Sequence, residues 1–135
     1  DGGFFPLLGV QVAEGRSFTN EEVRPGAEIP VAVLSHHLWR QLSGTSPLTP
    51  GTTLRIGAHR YDIIGILPRG FAGIDIDPVD VWLPLGAAVR GRGEQNGVPF
   101  AWYQTEMLRV LRVIGRRPAR MHDAALAEGL TTVLA

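Results

Sequence analysis

The side chains with the greatest capacity for chemistry fall in two short segments of the sequence. His36 and His37 are adjacent, and Asp75, Asp77 and Asp80 follow one another on one loop. Imidazole and carboxylate groups bind metal ions, so a small metal-dependent hydrolase built from both segments is one hypothesis. Neighbouring positions on a helix point about 100° apart, so His36 and His37 cannot both face one ion. The pattern therefore does not predict a metal site.

The aspartate loop alone is a candidate for calcium, because carboxylates that alternate along a loop can hold a hard cation. The loop lacks the later glutamate and the turn glycine that an EF-hand requires. We therefore expect Asp80 to cap or turn the chain before Trp82, and we expect Asp75 and Asp77 to be solvated.

Ser35 follows an apolar run and precedes a helical pattern, which is also the arrangement of a nucleophile elbow. No glycine stands beside it to permit the close turn, so we predict that Ser35 caps the helix. The chain has no cysteine, and no glycine-rich phosphate-binding pattern stands at a strand-to-helix junction. We predict no catalytic, cofactor-binding or metal-binding residue, no cofactor and no enzyme activity.

The composition limits the class of protein. The chain has 135 residues, enough for one domain with a substantial core, and its 13 basic and 13 acidic residues cancel. Nucleic-acid binding is therefore not expected. No apolar run approaches the roughly 20 residues that cross a bilayer, and neither end has the character of a natural terminus, so we expect an excised piece. A solvated strand face is expected for Arg109, Arg112, Arg116, Arg117 and Arg120.

An apolar strand and an amphipathic helix are predicted next to each other. Val31–Leu34 is a continuous apolar run, as expected for a strand that is covered on both faces. The helix is predicted from His36 to about Leu42, with Leu38, Trp39 and Leu42 on one face. The strand would thus lead directly into the helix.

A β-hairpin is the best-defined local structure. Residues 53–56 alternate as a half-buried strand, Gly57 begins a tight connection, and residues 60–67 form the second strand. A short strand is predicted over residues 81–85, and we expect its Trp82 to be buried. Strands that alternate irregularly with helices favour an α+β fold, in which helices pack on a mixed sheet.

The remaining segments give weaker predictions. Thr19 and Glu22 have the spacing of a capping box at a short helical turn. Residues 87–99 contain three glycines and little apolar surface, so they are expected to be the least ordered internal stretch. A strand is predicted over residues 102–115 and an amphipathic helix over residues 121–134.

Four motifs occur in a fixed order along the chain. They are GRSFTNEE from Gly15, PVAVLSHHLW from Pro30, LRIGAHRYDIIGILP from Leu54 and DVWLPL from Asp80. Taken together they resemble the MacB-type periplasmic core domain of FtsX-like ABC-transporter permeases. Each motif alone is unspecific, but their serial order is specific. The resemblance covers about residues 4–85 and continues more loosely to the C-terminus.

The resemblance implies a fold and a role. The fold would be α+β, with a small strand-rich lobe inserted in an α/β lobe, and residues 1–135 would form a single extracytoplasmic domain between two membrane helices. A separate cytoplasmic ATPase would rearrange those helices by hydrolysing ATP. The domain would transmit this change to an exported substrate or a periplasmic partner, without catalysing a reaction itself.

The implied partners follow from the same resemblance. They are a cytoplasmic ABC ATPase subunit or domain, a second permease copy, a periplasmic adaptor, and the membrane through flanking helices, and the implied location is the periplasmic side of the inner membrane. Two alternatives from other classes stay open. One is the hydrolase that would use His36, His37 and the aspartate loop, and the other is a free-standing protein-binding module.

Overall fold

The computed structural model of the chain describes residues 2–89 and residue 114. Its elements in chain order are α1 (Phe4–Leu7), β1 (Glu14–Gly15), β2 (Val31–Leu34), α2 (His36–Ser43), β3 (Thr53–Ile56), β4 (His59–Ile66), β5 (Val81–Trp82) and α3 (Leu85–Val89). The strands form one mixed sheet with a few short helices, so the α+β prediction is confirmed. Residues 87–89, at the start of the stretch predicted to be least ordered, lie instead in α3. The rest of that stretch, the arginine cluster, the strand over 102–115 and the C-terminal helix lie outside the described residues.

β4 is the central and longest strand of the sheet. It pairs in parallel with β2 on one side. On its other side, the first half of β4 pairs with β3 and its last residues pair with β1, both antiparallel. β5 pairs antiparallel with the far side of β2. The predicted hairpin is therefore an extension of the same sheet, and β4 connects it to the parallel pair.

All four residues of β2 are buried, as predicted from the continuous apolar run. The reason is that apolar side chains cover both faces of the strand. Ala32 and Leu34 join one core cluster together with Trp39, whereas Val33 joins a second cluster together with Phe5. The sheet therefore lies between two apolar layers, and β2 contributes to each of them.

Helix α2 begins after its predicted cap, Ser35, and ends at Ser43; Gly44 follows it, and its positive φ of 63° suits glycine. Trp39 is buried and Leu38 is half-buried, as expected for the face turned to the sheet. Leu42, predicted on the same face, is 54% exposed. The helix ends one residue later, and within the described residues no further element covers this last turn.

The prediction that Trp82 is buried is corrected to half-buried. β5 is only two residues long, so it cannot enclose the indole by itself. Instead, the ring packs edge-on against Phe5 and stacks on Phe71, with a distance of 5.8 Å between ring centres in each case. Trp82 thus borders the second core cluster and does not occupy its centre.

Candidate functional site

An open groove of about 690 Å³ combines polar and charged side chains. It lies where β2 and β4 end, because Ser35 follows β2 directly and Arg69 follows β4 after two residues. Ligands of open α/β sheets commonly bind at the carboxyl ends of parallel strands. The lining residues are Ser35, His36, His37, Arg40, Arg69, Gly70, Phe71, Ala72, Pro78 and Asp80.

A hydrogen-bonded pair, Ser35 and Asp80, forms the inner part of this groove. The Ser35 hydroxyl donates to Asp80 Oδ1 at 2.6 Å and accepts from the backbone N–H of Leu38 at 3.0 Å. The backbone N–H of Ser35 donates to the carbonyl oxygen of Asp80 at 2.8 Å. Ser35 is only 2% exposed. Its hydroxyl therefore serves as the predicted helix cap and has no geometry for attack on a substrate.

The sequence did not predict the partnership of Ser35 with Asp80. The two residues lie 45 positions apart, and they meet because Leu34 is the register partner of Val81 between β2 and β5. Asp80 was expected to turn or cap the chain before Trp82. In the structure, Asp80 instead links the start of β5 to the start of α2 through its hydrogen bonds with Ser35.

Replacing Ser35 with alanine is expected to lower the free energy of unfolding by about 1–2 kcal/mol, the upper part of the range for losing an N-cap. The loss arises because the N–H of Leu38 and the carboxylate of Asp80 both lose a partner. Urea unfolding measures it. Ser46→Ala is the matched control, since Ser46 is exposed and should change stability by less than about 0.5 kcal/mol. Equal losses in the two variants would contradict the assignment.

The two histidines lie in the groove but do not converge on a common point with the aspartate loop. Arg69 Nε donates to His36 Nε2 at 3.3 Å, so that nitrogen acts as an acceptor. His37 is exposed. Asp75 and Asp77 are exposed as predicted, and neither lines the groove. Across residues 2–89 and 114, no three His, Asp or Glu side chains are placed to hold a metal ion.

The structure therefore brings together only some of the residues that the hydrolase hypothesis requires. His36, His37 and Asp80 share the groove, but the carboxylate of Asp80 is occupied by Ser35. Arg40 and Arg69 complete the lining and were not predicted. Arg69 comes directly after the Pro68 that ends the hairpin, but only the pairing of β2 with β4 places it beside α2.

A second polar group stabilises the segment between β1 and β2. Arg16 forms a two-pronged ion pair with Glu22, with N–O distances of 2.7 and 2.9 Å. Glu22 Oε2 also accepts from the backbone N–H of Thr19 at 2.8 Å, and the Thr19 hydroxyl accepts from the N–H of Glu22 at 3.3 Å. These reciprocal bonds confirm the predicted capping box. Glu22 is 7% exposed, so the carboxylate is anchored inside the fold.

These contacts displace the pKa values of both partners. The hydrogen bonds from Arg16 lower the pKa of Glu22 most, the bonds from Thr19 add to this, and burial opposes it. The bond to Glu22 raises the pKa of Arg16 from its ordinary value. Because the Glu22 pKa is lower in the folded state, its stabilisation is complete above the unfolded value of about 4.3 and is lost as the pH falls through the folded value.

Glu22→Gln is therefore expected to cost about 1–3 kcal/mol of unfolding free energy at neutral pH, and the difference from the parent should shrink in acid as the parent carboxylate protonates. Urea unfolding over a pH series that extends below the unfolded pKa tests this. Glu21→Gln, at the neighbouring exposed position, should unfold like the parent throughout. A Glu22→Gln deficit that persists undiminished in acid would contradict the role given to the charge.

The sheet and the groove define a small α+β domain. The chain belongs to the family of MacB-like periplasmic core domains, whose family model matches residues 1–119. This confirms the family that the four motifs suggested. Within the described residues, no helix is both long enough and apolar enough to span a bilayer.

Two relatives agree with this assignment. The chain is 26% identical over 129 residues to the macrolide export ATP-binding/permease protein MacB of Chromobacterium violaceum; the match covers 95% of this chain and 18% of that protein. It also resembles the crystal structure of the periplasmic region of MacB from Actinobacillus actinomycetemcomitans, with a TM-score of 0.59 at 14% identity. That match covers 98% of this chain and 52% of the other. The chain thus spans a minor part of the first relative and about half of the second.

Proposed function

We propose that residues 1–135 form a single extracytoplasmic domain of an ABC-transporter permease, which transmits ATP-driven movement without catalysing a reaction. The family match over residues 1–119 is the observation that carries this proposal. The Chromobacterium violaceum relative is an ATP-binding/permease protein, which supports the transporter setting. The domain would lie on the periplasmic side of the inner membrane and join it through flanking helices.

The packing of the domain supports movement as one body. The backbone N–H groups of Ala13 and Arg16 donate to carbonyl oxygens of β4, each at 2.8 Å, so the N-terminal segment is bonded to the central strand. Apolar clusters on both faces of the sheet then join β2 and β4 to α1 and α2. A domain bonded in this way is suited to rigid-body displacement.

The proposed partners follow from that movement. A cytoplasmic ABC ATPase subunit or domain would supply the force through the membrane helices. A second permease copy and a periplasmic adaptor are the candidates to receive it, together with an exported substrate. Nucleic acid is not among the proposed partners, because the chain has no net charge.

Distance measurements in the intact permease, reconstituted in lipid with its ATPase, test this proposal. The chain has no cysteine, so Ala58→Cys at the exposed hairpin tip provides a unique labelling site within the domain. We expect the distance from a label at Ala58 to an acceptor on the ATPase to change when ATP binds. The energy of nucleotide binding would bias one of two arrangements of the domain.

A pair of labels inside the domain is the control. With Gln41→Cys and Ala58→Cys combined, both at exposed positions, the distance between the two labels should stay the same with and without ATP. An unchanged distance to the ATPase would contradict the proposed transmission. A changed distance inside the domain would contradict movement as one body.

The purified 135-residue chain is expected to hydrolyse no ester, peptide or phosphate substrate and to bind neither ATP nor divalent metal tightly. The reason is that Ser35 and Asp80 are engaged with each other and that His36 bonds Arg69. Calorimetry with ATP, zinc and calcium, together with a substrate screen, provides the measurement. One stoichiometric metal site lost in a His36→Ala variant would favour the hydrolase hypothesis instead.

A further inference from the structure

Two arginines line the groove without an ionic partner from the described residues. Arg40 and Arg69 are both exposed, and neither forms an ion pair within residues 2–89. His36 connects them, because it accepts a hydrogen bond from Arg69 Nε at 3.3 Å and stands one helical turn before Arg40. Residues four apart on a helix are neighbours on its surface. The three side chains therefore form one basic cluster in the groove.

The contact with His36 leaves most of the Arg69 guanidinium available. A guanidinium carries five N–H donors in a rigid fork, and His36 uses only the one on Nε. The donors on the two Nη atoms match the two oxygens of a carboxylate in a bidentate contact. Arg69 is thus held by a neutral side chain and keeps its charge for a ligand.

The rest of the groove limits what that ligand can be. Phe71 and Pro78 give it apolar surface. Among the described lining residues Asp80 alone is acidic, and its carboxylate accepts from the Ser35 hydroxyl in the inner part. Two arginines and one aspartate leave one net positive charge when the histidines are neutral. This balance suits a ligand with one negative charge and disfavours a second anionic group near Asp80.

We propose that the groove binds a small amphiphilic monoanion, a carboxylate joined to an apolar chain. The carboxylate would bind Arg69 and Arg40, and the apolar chain would lie along Phe71 and Pro78. The groove volume of about 690 Å³ is within the roughly 300–1,000 Å³ typical of small-ligand sites. Because the groove is open, part of the chain would stay in water, and we expect a dissociation constant of about 1 mM for octanoate.

An NMR titration of the isotope-labelled 135-residue chain with octanoate is the first test. We expect saturable shifts of the backbone amide signals of residues 36–40 and 69–72, and weaker binding at high salt. Octanol lacks the charge, acetate lacks the apolar chain, and suberate adds a second carboxylate at the far end of the chain. Each should bind at least about fivefold more weakly than octanoate.

Charge-removing variants at exposed positions locate the site. Arg69→Gln should weaken octanoate binding about tenfold, because a bidentate contact between charged groups is lost. Arg40→Gln should weaken it about threefold, as expected for one exposed ion pair. Arg69→Lys should lie between Arg69→Gln and the parent, since the charge stays and the fork is lost. Arg55→Gln and Arg60→Gln, on the exposed hairpin outside the groove, should bind like the parent.

Three results would overturn the proposal. The first is the lack of any saturable shift up to about 20 mM octanoate, where a millimolar site would be nearly full. The second is a loss in the hairpin variants as large as in Arg69→Gln, which would indicate general attraction of anions to the surface. The third is octanol or suberate binding as tightly as octanoate. None of these results bears on the proposed transmission of movement, which the label distances test separately.

Discussion

Gly65→Ala is expected to lower the free energy of unfolding by about 3 kcal/mol or more, at the upper end of what overpacking costs. Gly65 lies in β4 opposite Gly15 of β1, and a Cβ atom added there would collide with the backbone carbonyl of Arg16 and press on Val12. A backbone carbonyl cannot rotate out of the way, as the end of a flexible side chain can. Relief would require β1 to separate from β4, which would break the bonds that anchor the N-terminal segment.

Gly44→Ala separates this steric effect from a purely conformational one. Gly44 has a positive φ of 63°, but nothing beyond its chain neighbours lies within 4 Å of an added Cβ, so alanine there should cost about 1–3 kcal/mol of backbone strain alone. Urea unfolding of both variants beside the parent measures the difference. A Gly65→Ala protein as stable as Gly44→Ala would mean that β1 can move away from β4 at little cost.

Elements governed by neighbouring residues were predictable from the sequence. The hairpin, the cap at Ser35 and the capping box of Thr19 with Glu22 depend on side chains at most a few positions apart, and the structure has all three. The continuous apolar run of β2 also indicated burial on both faces correctly. Local spacing is sufficient here because each signal and its partner lie within one turn or one strand.

Features that depend on strand register were not predictable in the same way. The register between β2 and β4 shifts after Ala32, where Ile64 is the additional residue in β4. This shift and the pairing of β5 with β2 decide which side chains meet at the ends of the strands. Without knowledge of how the strands pair, the sequence gives no sign that Asp80 contacts Ser35 or that Arg69 contacts His36.

The candidate site shows the same contrast between features set by local sequence and features set by strand register. His36, His37 and Asp80 could be singled out by residue type, because imidazole and carboxylate groups have recognisable chemistry. Arg40 and Arg69 could not, because a surface arginine has no distinguishing local pattern. The groove exists only because the parallel pairing of β2 with β4 brings α2 and the loop after β4 together. Its chemistry is therefore a property of the topology.

The aromatic cluster beside β5 yields the second large effect. Phe5 is 1% exposed and lies at the centre, with ring-centre distances of 5.3 Å to Phe4, 6.1 Å to Phe18, 6.2 Å to Phe71 and 5.8 Å to Trp82. It fastens helix α1 to the sheet. In the proposed permease, this ring would carry part of any force that passes from α1 to the sheet, beside the backbone bonds of the N-terminal segment to β4.

Phe5→Ala is accordingly expected to cost about 3–5 kcal/mol, the range for deleting a buried aromatic side chain. Trp82→Ala should lie near 3 kcal/mol, at the lower end of that range, because the indole is half-buried. Since the two rings meet edge-on, the double variant should lose about 0.5–1.5 kcal/mol less than the sum of the single losses. Leu42→Ala, at an exposed helix position, is the control and should change stability by less than about 0.5 kcal/mol. Losses from Phe5 and Trp82 that simply add would show that the two rings act independently.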